Sequence, residues 1–211
     1  EKGKCFWMRI FDIPEGTKTS KGRAIQNLIN IERDDKVMAY INIKDLKDQE
    51  YTDNNFIIMC TKNGVIKKTS LDAYSRPRTN GINAINVREG DQLLEVKLTN
   101  GTNEILLAVK SGRCNRFNES KVRPMGRTAT GVRGITLAEN DEVIGMVCIQ
   151  DPNEETVLVV SENGYGKRTY LNDPEDGEPV YRITNRGGKG VKTLNVTEKT
   201  GDLIAIKAVT N

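Results

Sequence analysis

Apolar residues in this chain fall in short runs rich in β-branched side chains, none long enough for a helix. The clearest are N-F-I-I-M-C-T, E-I-L-L-A-V and T-V-L-V-V-S. Each leads into a turn that ends in glycine, at Gly64, Gly112 and Gly164. A short apolar run rich in β-branched residues and bounded by a turn suits a β-strand. After each turn comes a short basic strand, V-I-K-K-T, R-C-N-R-F or Y-G-K-R-T, with K-C-F-W-M-R as its counterpart near the start. A polar, basic loop follows. A second glycine then opens another strand: K-G-R-A-I-Q-N-L, N-G-I-N-A-I-N-V, T-G-V-R-G-I-T-L and K-G-V-K-T-L-N-V. An acidic turn and a last apolar strand complete the unit. No stretch has helical periodicity, and L-D-A-Y and N-E-S-K allow single helical turns at most.

The same order therefore recurs four times. The second glycines, Gly22, Gly81, Gly131 and Gly190, are spaced 59, 50 and 59 residues apart, and Gly3, Gly64, Gly112 and Gly164 run in parallel. Asp35, Asp91, Asp141 and Asp202 mark the acidic turns, where an aspartate side chain can bond nearby amides. About four strands per unit predicts an all-β, propeller-like array of four-stranded blades. About four blades are expected, with repeats near 1–50, 51–101, 102–150 and 151–211. The first unit begins at E-K-G, so its opening strand is expected to lie outside the chain, or to be supplied by the last unit if the array closes.

Composition narrows the chemistry. The 211 residues include no histidine, so neither a Ser-His-Asp nor a Cys-His nucleophile can be assembled from this chain. There is no G-K-[ST] phosphate loop and no clustered set of metal ligands. The four cysteines are far apart and form no C-x-x-C pair, which suits reduced structural thiols in a cytosolic protein. The chain starts at glutamate, without a signal peptide or a long apolar span, and reads as an excised piece of something longer.

The net charge of +3 says little, but its distribution is uneven. Between Lys62 and Arg133 there are 14 basic and 6 acidic residues. Within each repeat the cations gather on the basic strand and the loop after it. The candidates are Lys67, Lys68, Arg76 and Arg78 in the second repeat, and Arg113, Arg116, Lys121, Arg123, Arg127 and Arg133 in the third. Lys167 and Arg168 follow in the fourth. One surface element repeated on successive blades would draw a basic stripe along a curved rim, a surface suited to bending duplex DNA. Few aromatics lie among these cations, which favours tracking of a duplex backbone over stacking on single strands.

With those repeats in view, the chain resembles the C-terminal domains of DNA gyrase A proteins. The most specific stretches are T-K-N-G-V-I-K-K-T, V-R-P-M-G-R-T-A-T-G-V-R-G-I-T-L and S-E-N-G-Y-G-K-R-T. The resemblance implies a β-pinwheel whose neighbouring blades share strands and whose basic perimeter wraps duplex DNA. The whole enzyme would thereby introduce negative supercoils. The partners it implies are duplex DNA, the gyrase A N-terminal domain and the gyrase B subunit. The assembly would be a bacterial cytoplasmic, nucleoid-associated enzyme. Cleavage, ATP and Mg would belong to other domains, leaving this piece non-catalytic and without a cofactor or metal of its own.

The family's gyrase A box, Q-R-R-G-G-[RK]-G, is matched at five of seven positions by T-N-R-G-G-K-G. The matching residues are Arg186, Gly187, Gly188, Lys189 and Gly190. The family's box lies at the first blade, so either it has moved to the fourth here or another copy lies upstream of Glu1. Paired glycines would let backbone amides approach a phosphate while Arg186 and Lys189 supply charge. The nearest rival is the homologous domain of topoisomerase IV, which usually has fewer blades and a degraded or absent box. A protein-binding propeller is a third reading. The E-D-G-E segment, Glu175 to Glu178, reads as a solvated loop insertion rather than a carboxylate site.

Overall fold

The computed structural model describes residues 1–210. The strands are β1 (Lys4–Cys5), β2 (Phe56–Thr61), β3 (Val65–Ser70), β4 (Ile82–Asn83), β5 (Leu93–Thr99), β6 (Glu104–Val109) and β7 (Arg113–Asn118). They continue with β8 (Val132–Arg133), β9 (Val143–Ile149), β10 (Glu155–Ser161), β11 (Gly166–Tyr170), β12 (Val191–Lys192) and β13 (Leu203–Thr210). The sole α-helix among the described residues, α1 (Gln49–Asn54), was not expected from the sequence. Asp48 caps it by accepting from the Tyr51 amide. L-D-A-Y and the last three residues of N-E-S-K do form single 3-10 turns, at Leu71–Tyr74 and Glu119–Lys121. No helix among the described residues is long and apolar enough to cross a membrane.

Blades are composite. One sheet has the order β5-β2-β3-β8 and the next β9-β6-β7-β12, so each takes its outer strand from the following repeat. That strand is short: Val65 pairs with Arg133 and Ile66 with Val132, and in the next blade Cys114 pairs with Val191 and Arg113 with Lys192. The same exchange joins β1 to β4. In the fourth repeat β10 lies between β11 and β13, and among the described residues no fourth strand pairs with them. Among the described residues the array is open, and the last repeat does not complete the first.

This exchange explains why the first repeat departs from its sequence pattern. The expected strand in K-G-R-A-I-Q-N-L is a 3-10 turn at Ile25–Asn27, and among the described residues no sheet takes it up. Residues 37–43, expected as the last apolar strand, are not extended into a sheet. In the other repeats that strand pairs with the opening strand, which the first repeat lacks. Ile41 and Ile43 instead pack on the cluster around Leu71 and Tyr74.

Neighbouring blades stack face to face. In β6, Ile105, Leu107 and Val109 join one core with Ile58, Ile66 and Met146, while Leu106 and Ala108 join another with Val157, Val159 and Ile206. The two-residue period of a strand thus feeds two cores at once, and the run reads as continuously apolar. Acidic turns fasten the first turn of their own repeat: Asp35 accepts from the Lys2 amide, Asp91 from Asn63 and Asp141 from Ser111. Cys60 and Cys114 are buried, and burial pushes the Cys114 thiol up to about 12.

Candidate nucleic-acid interface

The basic strand and the basic loop turn out to have different surroundings. β3 and β7 are inner strands, flanked in their sheets by β2 and β8, or by β6 and β12, and covered by loops of the next repeat. Three sequence candidates on them are buried. Lys67 is fully enclosed, and its Nζ donates to the Ala84 carbonyl at 2.5 Å and the Arg127 carbonyl at 2.7 Å. Burial, with Arg127 nearby, pushes its ammonium down to about 8. Lys68 pairs with buried Glu119 at 2.8 Å and lies 4.2 Å from the Phe56 ring centre. Arg116 pairs with Glu104 at 2.6 Å and donates to the Leu171 and Tyr181 carbonyls. These three tie one repeat to the next and cannot reach a phosphate, so they leave the set of DNA contacts.

The loop cations are different. Arg76, Arg78, Lys121, Arg123 and Arg133 are exposed and Arg127 is half-buried. Among the described residues none of their side chains has a hydrogen bond or an ion pair. By contrast, lysines beside the first turns are matched to acids. Lys110 lies 3.3 Å from Asp202, and Lys2 and Lys4 both lie 2.9 Å from Glu32. Glu32 is held down to about 2, chiefly by hydrogen bonds from those two lysines. The loops that follow β3 and β7 therefore carry unneutralised charge, unlike the lysines of the first turns.

The R-G-G-K-G loop of the fourth repeat packs on the third blade. The Arg186 guanidinium donates to the carbonyls of Lys121 and Arg133, and the Gly187 amide donates to the Gly134 carbonyl at 2.8 Å. Thr136 returns two bonds, to the Gly187 and Gly188 carbonyls. From below, Arg113 donates to the Lys189 and Gly190 carbonyls at 3.1 and 2.7 Å. Gly190 has φ +70°, and a Cβ there would stand 2.6 Å from the Cys114 carbonyl oxygen. Arg113 and Arg186 thus position the loop rather than offer free charge, whereas Lys189 is exposed.

On β11, Lys167 and Arg168 are exposed, and Arg168 donates to Thr156 Oγ1 at 2.7 Å. They occupy the repeat position that is buried as Lys67 and Lys68 in the second blade. Sequence reasoning passed over Arg88, which lies in an acidic turn. It lines a cavity of about 410 Å³ together with Arg133, Gly64 and Thr136. Its spacing gave no signal, since the repeat places it among acids. The Glu175–Glu178 segment is an exposed turn, closed by Gly177 donating to the Asp173 carbonyl.

Comparison with known proteins agrees with this architecture. The family model described as "DNA gyrase C-terminal domain, beta-propeller" matches residues 1–42, 55–100, 103–150, 155–173 and 180–210. The DNA gyrase A protein of Staphylococcus aureus strain NCTC 8325 is 44% identical over 209 residues, covering 99% of this chain and 22% of the relative. The chain thus spans about a fifth of the curated relatives it matches. A crystal structure of the C-terminal domain of DNA topoisomerase IV superposes with a TM-score of 0.83 at 28% identity, covering 99% of this chain and 61% of the other. A DNA gyrase A C-terminal domain structure gives 0.75 at 24% identity, covering 99% and 63%.

Proposed function

The chain belongs to the DNA gyrase C-terminal domain family, and from that premise we propose that its outer loops bind duplex DNA and hold it bent along the blade array. The observation that carries this reading is the set of cations on the loops after β3 and β7 that meet no acid. Among the described residues Arg76, Arg78, Arg123, Arg127 and Arg133 lack acidic partners, while the turn lysines have them. Each free cation that meets a phosphate releases condensed counterions, and many such contacts offset a bending cost of about 1–6 kcal/mol for a 20–30 base-pair site.

In this reading the domain is a non-catalytic part of an ATP-dependent type II topoisomerase in the bacterial cytoplasm. It presents DNA to a gyrase A N-terminal domain and works with a gyrase B subunit. Strand cleavage, ATP and Mg belong to those other parts. The R-G-G-K-G loop fixes the path of the duplex between the third and fourth blades through Lys189, since the Gly187 and Gly188 amides are bonded to the Gly134 and Asn185 carbonyls rather than offered to a phosphate.

The test is topological. The domain is bound to nicked circular plasmid, the nick is ligated, and the deproteinised topoisomers are resolved. A shift toward positive linking difference is expected. A second reading, geometry recognition without strong wrapping as in topoisomerase IV, draws on the 0.83 structural match. It would give binding without a shift. Absence of binding would overturn both.

A further inference from the structure

The loop of the first repeat carries a feature that its basic residues do not explain. Ile10 and Phe11 are 76% and 77% exposed, and Ile13 beside them is 47% exposed. Isolated surface apolar residues are ordinary, but three within four positions at a loop tip form a patch. The tip is a built turn. Asp12 and Ile13 donate back to the Arg9 and Ile10 carbonyls, and every hydrogen bond made by residues 10–23 stays within residues 9–23 among the described residues. The turn therefore projects without leaning on a blade.

Its position and charge point to one partner. The loop follows β1 as the Arg76–Arg78 loop follows β3, and it ends at Gly22, the counterpart of Gly190. Arg9 stands over the Phe11 ring, 5.5 Å from its centre. Lys18, Lys21 and Arg23 are exposed beyond the turn and have no acidic partners among the described residues. Asp12 and Glu15 are the loop's two acids, so cations outnumber them. An apolar tip with flanking cations is the chemistry by which wedge side chains enter between base steps, unstack them and kink a duplex.

We propose that Ile10 and Phe11 form a wedge that inserts into the duplex bound on the rim and localises part of its bend at a flexible step. The inference rests on the DNA-binding reading above. Pyrimidine–purine steps yield most easily, so TA steps are the favoured points of entry.

The test uses a duplex with 2-aminopurine at its TA steps and a donor–acceptor dye pair at its ends. Binding of the unaltered domain is expected to raise 2-aminopurine fluorescence and bring the ends closer. The Ile10→Ser/Phe11→Ser variant, altered only at exposed positions, is expected to bind with an unchanged salt slope while losing the fluorescence rise and part of the end approach. Phe11→Trp is expected to retain both, with its indole emission quenched by the bases. Bending without a fluorescence rise in the unaltered domain, or full unstacking by the serine variant, overturns the wedge and leaves the rim reading standing. If the unaltered domain fails to bind DNA, both fall.

Discussion

Lys68 Nζ lies 2.8 Å from Glu119 Oε2, and both side chains are almost wholly enclosed between the second and third repeats. Glu119 also accepts from Thr99 Oγ1 and from the Asn103 amide, so its charge is met on three sides. A basic residue that looked like a surface contact in the sequence is thus half of a buried pair. Removing one partner of such a pair leaves an uncompensated charge, which costs about 3–5 kcal/mol. Lys68→Met and Glu119→Gln should each lower stability on that scale. Combined, they should lower it by less than the sum, as measured by chemical denaturation in a double-mutant cycle.

Exposed and buried cations should separate in salt titrations. Neutralising Arg123, Arg127 and Arg133 together should reduce the slope of log affinity against log salt by roughly 2 to 3, since each phosphate contact accounts for about 0.9. Stability should change little. An unchanged slope would remove these three from the interface.

Within the R-G-G-K-G loop the two cations should behave differently. Arg186→Ala removes a donor from the Lys121 and Arg133 carbonyls and should cost about 1 kcal/mol, because those bonds are partly exposed to water. Lys189→Ala should leave the melting curve in place and weaken DNA binding. Equal effects of both on melting would contradict the packing described.

Glycines at one repeat position should tolerate alanine unequally. Gly112 has φ +82°, and a Cβ would stand 2.5 Å from the Leu194 carbonyl oxygen. Gly164 has φ +80°, but among the described residues no atom lies within 4 Å of a Cβ there. Both substitutions incur left-handed backbone strain of about 1 kcal/mol. Gly112→Ala should add displacement of the segment after β12, at Leu194 and Val196, and destabilise clearly more, read by thermal unfolding of the two variants.

Lys67 makes stability depend on pH in a specific window. Its ammonium is pushed from 10.5 down to about 8, so between those values the unfolded chain holds a proton that the folded one does not. Its contribution to stability therefore rises with pH across that window. Partly buried thiols act in the opposite direction: desolvation pushes Cys148 up to about 12 and Cys5 to about 11, which erodes stability as free thiols ionise in the unfolded chain. The lysine is isolated by comparison with Lys67→Met. The stability difference between the two proteins should shift in favour of the lysine form from pH ~8 to ~10. A difference that stays flat would mean that the ammonium is not desolvated.

Much of this protein is readable from its sequence because the governing constraints are local. Glycine at Gly64, Gly112 and Gly190 reports positive φ, the aspartates report turns that need capped amides, and short β-branched runs report strands. Recurrence of those signals four times gives the blade array and its family. Which strand joins which sheet is not local. The two-residue pairing of β8 with β3 depends on a repeat some 65 residues away, and the first repeat shows that the same local signals do not make a strand without such a partner.

The interface divides along that line. Sequence alone determines that cations recur on the basic strand and the loop after it. Only the tertiary structure decides which of them meet solvent. An exposed sheet would send Lys67 and Lys68, as neighbours on a strand, to opposite faces and leave at least one in water. Here β3 is covered on both faces and along its edge, so both are enclosed, while Arg76 and Arg78 a few residues later stand free. Burial is a property of what packs against a residue, and in this fold what packs against each repeat is the next one.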